Sequence, residues 1–213
     1  QSNTTELFLV NVISKGDSLS FSTPVNITNH EGYDNQPVFS SDSKRILYIS
    51  MPDTIQTDIF EYNISDSTRK QLTLTDESEY SPLFSPDNNH ISFVRIDVDK
   101  GQRIYQTTLE FDEPIPVNHI IDSTAYYNWI SDSTLAIAFL NNGMELMIYE
   151  MNEGQYVVID KGIGRCILKI PGSSDLVYTK KADDKMSLMR YSAETGAAIA
   201  YCEGLGDVED YFF

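Results

Sequence analysis

"QPVFSSDSKRILYI" spans residues 36–49, and "SPLFSPDNNHISFV" spans residues 81–94. Both run Pro, x, Phe, Ser-x-Asp, a short polar turn and then an apolar stretch. Their aspartates, Asp42 and Asp87, are 45 residues apart, and Asp132 of "NWISDS" lies 45 residues further on. A degenerate fourth copy, "CILKIPGSSDLVYT" (166–179), carries Pro171-Gly172 in place of the aspartate turn, and "VEDYFF" (208–213) begins a fifth. A second pattern keeps step with the first. "ELFLVNV" (6–12), "DIFEYNI" (58–64), "RIYQTTL" (103–109), "ELMIYEM" (145–151) and "SLMRYSA" (187–193) each set Leu or Ile before an aromatic or Met. Self-similarity at this period marks one structural unit copied along the chain.

Each unit divides into four short runs rich in β-branched and aromatic residues, separated by turn formers. In the clearest copy the runs are "YSPLFS", "HISFVRI", "RIYQTTLEF" and "IPVNHI". Asn, Asp and Gly between them tolerate positive φ or bond their own backbone. The second run is apolar almost throughout ("ILYIS", "ISFVRI", "LAIAFL", "LVYT") and reads as a strand buried on both faces. Four-stranded sheets stacked face to face around an axis supply that environment. A unit of about 40 to 45 residues and four strands is a β-propeller blade. The fold class expected is therefore all-β, a propeller of four-stranded antiparallel blades.

The stretches "QPVFSSDSKRILYIS" and "YSPLFSPDNNHISFVRI" closely resemble the repeat of TolB-like β-propellers, Pro-x-aromatic-Ser-Pro-Asp-Gly-x-x-Ile-x-Phe, and "YNWISDSTLAIAF" (127–139) is a weaker copy. Ser43, Asn88 and Ser133 stand where that repeat usually has its turn Gly. The resemblance implies a bacterial protein exported to the cell envelope, its signal or lipid anchor lying outside this chain, and a protein-interaction platform. The same blades also precede prolyl-oligopeptidase-type hydrolase domains and form some carbohydrate lyases, so the fold alone does not choose an activity.

The chain reads as a single propeller domain over 1–213. Residues 6–29 supply the outer two strands of one blade, complete blades follow at about 33–75, 79–121, 125–162 and 165–204, and 207–213 begin another inner strand. About five blades are thus visible. A closed five-bladed ring with a three-stranded closing blade is one arrangement. Part of a six-bladed ring is the expectation preferred, because Phe213 falls inside a motif.

Lys and Arg number 15 against 32 Asp and Glu, a net charge of −17. That field repels phosphate backbones and anionic lipid, so nucleic acid and direct membrane insertion are excluded as expectations. No apolar run approaches the ~18 residues of a membrane span. Cys166 and Cys202 fall in the first and last strands of one blade, three strand steps or roughly 14 Å apart at ~4.8 Å per step. A disulfide needs Cα atoms within about 7 Å, so two unbridged thiols are expected.

The chemistry-bearing motifs are weak. The Ser-x-Asp groups sit at the bend between the first two strands of each unit and read as turn caps. His30, His90 and His119 fall at unlike positions of different blades and assemble no metal set. "DVDKG" (97–101) lacks the later oxygen ligands of a calcium loop and reads as a hairpin turn. No Gly-rich phosphate loop, Gly-x-Ser-x-Gly elbow or Cys-x-x-Cys occurs. Neither a catalytic residue nor a metal or other cofactor is assigned. The remaining signal lies in the connections that gather at one mouth of a propeller. Tyr33, Tyr80, Tyr126, Tyr127 and Tyr211 recur there among Asp34, Glu77, Glu79 and Asp210, with Arg165 for a cation. Amphipathic Tyr beside charge is the composition of a recognition surface. The partner expected is a protein or peptide, or else a glycan, with a basic segment favoured by charge.

Overall fold

The apolar second runs become the best-buried strands of the molecule. The computed structural model describes residues 4–52, 55–182, 185–203 and 210. An N-terminal segment forms β1 (Phe8–Leu9), β2 (Val12–Lys15), β3 (Ser18–Phe21) and β4 (Val25–Asn26). Blade one contains β5 (Tyr33–Phe39), β6 (Arg45–Met51), β7 (Asp58–Asn63) and β8 (Thr68–Gln71), and blade two β9 (Ser78–Phe84), β10 (His90–Ile96), β11 (Gln102–Thr108) and β12 (Ile115–Pro116). Blade three contains β13 (Thr124–Ser131), β14 (Thr134–Leu140), β15 (Met144–Glu150) and β16 (Gln155–Lys161), and blade four β17 (Ile163–Lys169), β18 (Leu176–Ala182), β19 (Lys185–Tyr191) and β20 (Ala198–Cys202). Every blade is a four-stranded antiparallel meander in chain order, and the four stand in a ring as a β-propeller.

Alternation within each second strand serves two seams at once. Ile46 and Tyr48 of β6 pack toward the N-terminal segment with Ile27 and Tyr62, while Leu47 packs toward blade two with Ile91 and Phe93. In β14, Leu135 and Ile137 face blade two beside Val94 and Ile104, and Ala136 and Ala138 face blade four beside Leu176 and Tyr178. Each such Leu or Ile contributes roughly 1.5–3 kcal/mol of burial. Outermost strands need no such residues: β8, "TRKQ", is exposed along its whole length.

The turn aspartates work as caps. Asp42 Oδ1 accepts from the Ser40 hydroxyl at 2.6 Å and the Lys44 N–H at 3.1 Å. Asp87 Oδ1 accepts the N–H groups of Asn89 and His90. Ser43 and Asn88 each sit at φ 57°, and Gly172 at φ 73°, the left-handed geometry that a turn Gly serves. The third copy departs: Ser131 pairs directly with Thr134 across a tighter turn, and Ser133 has no positive φ. The 6–29 segment folds back on itself as antiparallel pairs with one interruption. β1 pairs with β4 and β2 with β3, as two separate sheets. Pro24, which lacks an N–H, stands at the break, where Ser22 and Asn11 bond each other instead.

Candidate functional site

The first strands β5, β9, β13 and β17 line a cavity of about 790 Å3. Each of them carries an irregularity. Pairing with the neighbouring strand breaks between Asn35 and Val38, between Tyr80 and Leu83, between Thr124 and Tyr126, and between Ile163 and Ile167. A bulge of this kind bends the strand and re-aims its side chains. At two of the breaks the backbone turns left-handed, at Gln36 (φ 54°) and Ser81 (φ 51°), each followed by a proline. Neighbouring side chains take over the loosened N–H groups. Gln36 N–H donates to Asn35 Oδ1 at 2.7 Å, and Ser81 N–H donates across the seam to Gln36 Oε1 at 2.6 Å. Asn128 Nδ2 likewise donates to the Ile167 carbonyl, joining blades three and four.

Tyr33, Tyr126, Tyr127, Arg165 and Asp210 all line this cavity. Arg165 Nε donates to Asp210 Oδ1 at 3.0 Å, and its Nη2 to Oδ2. Among the described residues these two are the only charged groups on the lining, which is otherwise amide, hydroxyl, aromatic, proline, aliphatic (Val38, Leu83, Ile167, Leu168) and the Cys166 thiol. Tyr127 serves the core more than the cavity: it is buried, and its hydroxyl donates to Ser92 Oγ at 2.7 Å. Burial pushes its phenol well above the usual range.

The other expected residues are placed elsewhere. Tyr80 packs on the apolar seam between blades two and three. Asp34 is 2% exposed and bonds His30. Glu79 is fully buried, accepting from the Thr73 hydroxyl at 3.0 Å and from that of Thr75. Burial pushes the Glu79 carboxyl up to about 7 against the pull of the two hydroxyls, with Asp58 beside it adding to the rise. Glu77 borders a separate hollow of about 440 Å3 with Leu74, Arg95 and Phe111. Tyr211 lies outside the described residues. The physical reason is strand phase: Asp34 and Glu79, each eight residues before its turn aspartate, point into a seam. Residues six before it point at the cavity, which brings in Asn35's neighbour Gln36 and also Ser81. Both lay unremarked in the motif, though the 45-residue period marks them as equivalent to Tyr126.

Three constellations are settled by geometry. His30, Asp34 and Ser50 lie together, but Asp34 Oδ1 and Ser50 Oγ both reach the same ring nitrogen, Nε2, at 3.1 and 3.2 Å, while Nδ1 faces the Glu31 carbonyl. A Ser-His-Asp relay needs acid and serine on opposite nitrogens, and Ser50 is 1% exposed. In "DVDKG" both carboxylates are taken by cations: Asp97 accepts from Arg95, Arg103 and Tyr105, and Asp99 holds Arg103 through both oxygens. The Arg103 bonds, then the Gly101 N–H, lower the Asp99 carboxyl to about 2. Cys166 is buried in β17 and Cys202 exposed in β20, with no disulfide between them. No group of three or more His, Cys, Asp or Glu with metal-holding geometry occurs among the described residues.

No protein-family model matches the chain, and no curated protein does. Solved structures do. TolB from Acinetobacter baumannii is similar with a TM-score of 0.68 and 17% identity over 87% of this chain and 48% of that one. A TolB described from Agrobacterium tumefaciens gives 0.67 and 13% identity over 94% and 83%. A puromycin hydrolase variant gives 0.65 and 10% identity over 82% and 29%. The chain thus spans about half of the first of these and under a third of the hydrolase. At these identities the likeness concerns architecture, and the chain has a TolB-like β-propeller fold.

Proposed function

We propose that this propeller is a non-catalytic platform that binds a protein or peptide at its channel, in the bacterial cell envelope, as part of a six-bladed ring. The observation that carries the reading is the cavity itself. Four bulged strands bring Tyr33, Tyr126, Asn128 and the Arg165–Asp210 pair around one space. Pockets of roughly 300–1,000 Å3 lined by aromatic groups and a few placed polar groups are the usual form of a binding site. A charge of −17 favours a basic partner surface. The similarity to TolB structures supports an envelope location. A photo-crosslinking residue placed at Tyr126 in the producing cell is expected to trap a discrete protein adduct, and one at outward-facing Tyr156 is not. Equal adducts at both positions, or none at Tyr126, would sink the reading.

The similarity to a puromycin hydrolase supports a second reading, a propeller serving a catalytic unit on envelope peptides or glycans completed by residues outside this chain. That reading requires a turnover defect, without loss of partner capture, when the channel is altered in the full-length protein.

A further inference from the structure

Counting back six residues from each turn gives Gln36 (from Asp42), Ser81 (from Asp87), Tyr126 (from Asp132) and Arg165 (from Pro171). All four line the cavity, and all four fall at or inside the break in their strand's pairing. We infer that these four residues form a specificity ring that reads an uncharged, extended segment of the partner inside the channel; the inference rests on the platform reading and names the part of the partner that enters.

The contrast between repeat positions supports the assignment. Three residues before the turn, the copies hold Phe39, Phe84, Trp129 and Leu168, all apolar, of which Trp129 is buried and the other three lie on the cavity lining. Six before it, the same fold holds an amide, a hydroxyl, a phenol and a guanidinium. At Gln36, Ser81 and Arg165 the break takes this position out of the ladder, whereas Tyr126 stays paired with Ala138 at the edge of its break and packs against the apolar seam of blades three and four. Two of the four positions hold non-glycine residues in left-handed backbone, at Gln36 and Ser81. Strained backbone of that kind persists where surrounding structure holds it, and it concentrates at binding sites.

The ring also defines what fits. Gln36 Nε2, Ser81 Oγ and the Tyr126 hydroxyl have no hydrogen-bond partner among the described residues, so three donors face the channel region unspent. Arg165 is neutralised by Asp210. Among the described lining residues, a charged side chain entering here would meet no counter-ion outside that pair. An extended peptide stretch offers carbonyl acceptors at ~3.3 Å per residue and apolar groups for Tyr33, Pro37 and Pro82. Cationic flanks outside the channel remain compatible with the surface charge.

The test is selection from a phage-displayed library of random 12-residue peptides. The targets are the parent protein, the single variants Gln36→Leu, Ser81→Ala, Tyr126→Phe and Arg165→Gln, and the outward control Tyr156→Ala. Melting temperatures within a few degrees of the parent establish that each variant is folded. The parent and the control are expected to enrich one consensus with an uncharged centre. Each ring variant is expected to enrich a different one and to bind parent-selected peptides about tenfold more weakly. The same consensus on all six proteins, or a charged centre, overturns the ring while leaving the platform standing. No enrichment on the parent overturns the platform itself. Binding of chitotetraose without any peptide enrichment would assign the channel to glycan and overturn both.

Discussion

Ser43 occupies the left-handed backbone of the first blade's turn at φ 57°, a conformation costing an L-residue about 1–2 kcal/mol. Ser133 stands at the same place in the motif but in a turn that needs no positive φ. Ser43→Gly is therefore expected to stabilise the protein by about 1 kcal/mol, and Ser133→Gly to destabilise it by roughly 0.5–1 kcal/mol through lost chain stiffness. Urea midpoints compared side by side decide this, and equal shifts would show that the two turns are alike. Glu79 makes a second residue-scale case. Its carboxyl lies near 7 in the folded protein against an ordinary value of 4.5, because burial disfavours the charge. The folded state thus binds more protons than the unfolded one between those pH values, and stability falls as pH rises through that window. The full displacement corresponds to roughly 3 kcal/mol. Glu79→Gln removes the titration, so its stability relative to the parent is expected to improve by a few kcal/mol between pH 4.5 and pH 8. Parallel pH profiles for the two proteins would exclude Glu79 as the source.

At the scale of elements, the blades are joined by apolar seams into which a few polar staples are set. Ser92 of β10, wholly buried, receives two donors from β13: the Tyr127 hydroxyl at 2.7 Å and Trp129 Nε1 at 2.8 Å. Ser92→Ala orphans both donors in a dry interface, at roughly 1–3 kcal/mol each. Tyr127→Phe removes one donor and leaves Ser92 bonded to Trp129, for about 1 kcal/mol. Denaturation followed by the fluorescence of Trp129, the single tryptophan, is expected to rank Ser92→Ala well below Tyr127→Phe. The reverse order would mean that the hydroxyl pair is incidental to the seam. This staple also shows what can be read from sequence. The strands were legible because short β-branched and aromatic runs, turn formers and the 45-residue spacing all follow from one packing problem solved repeatedly. The site was legible only in part. Tyr126 was expected as one of the recurring tyrosines and Arg165 as the lone cation of the mouth, and both line the cavity. Asp34 and Glu79 were expected in the same set, yet beside the bulges of their strands both are buried, and Tyr127, although on the lining, gives its hydroxyl to Ser92. Bulge positions depend on how adjacent strands pair, which neighbouring residues in the chain do not specify.

Taken whole, the molecule separates two kinds of electrostatics. The chain carries an excess of 17 negative charges, while the described lining of the channel holds one ion pair and no net charge. Under the proposed function, long-range attraction and short-range recognition would fall to different places. On the platform reading, the outer field would draw a basic partner surface from a distance set by the Debye length, about 10 Å at 0.1 M salt and about 3 Å at 1 M. Contacts inside the channel would act only after docking and would be hardly screened. Kinetics should therefore divide along the same line. For a peptide selected on the channel and flanked by lysines, raising salt from 0.05 to 0.5 M is expected to slow association by about tenfold or more, with dissociation nearly constant. Tyr126→Phe should do the opposite, leaving association unchanged and speeding dissociation. Surface plasmon resonance across a salt series measures both rates on the same immobilised peptide. If salt altered dissociation as strongly as association, charge would be acting within the bound complex, and the neutral channel would not be where the partner is held.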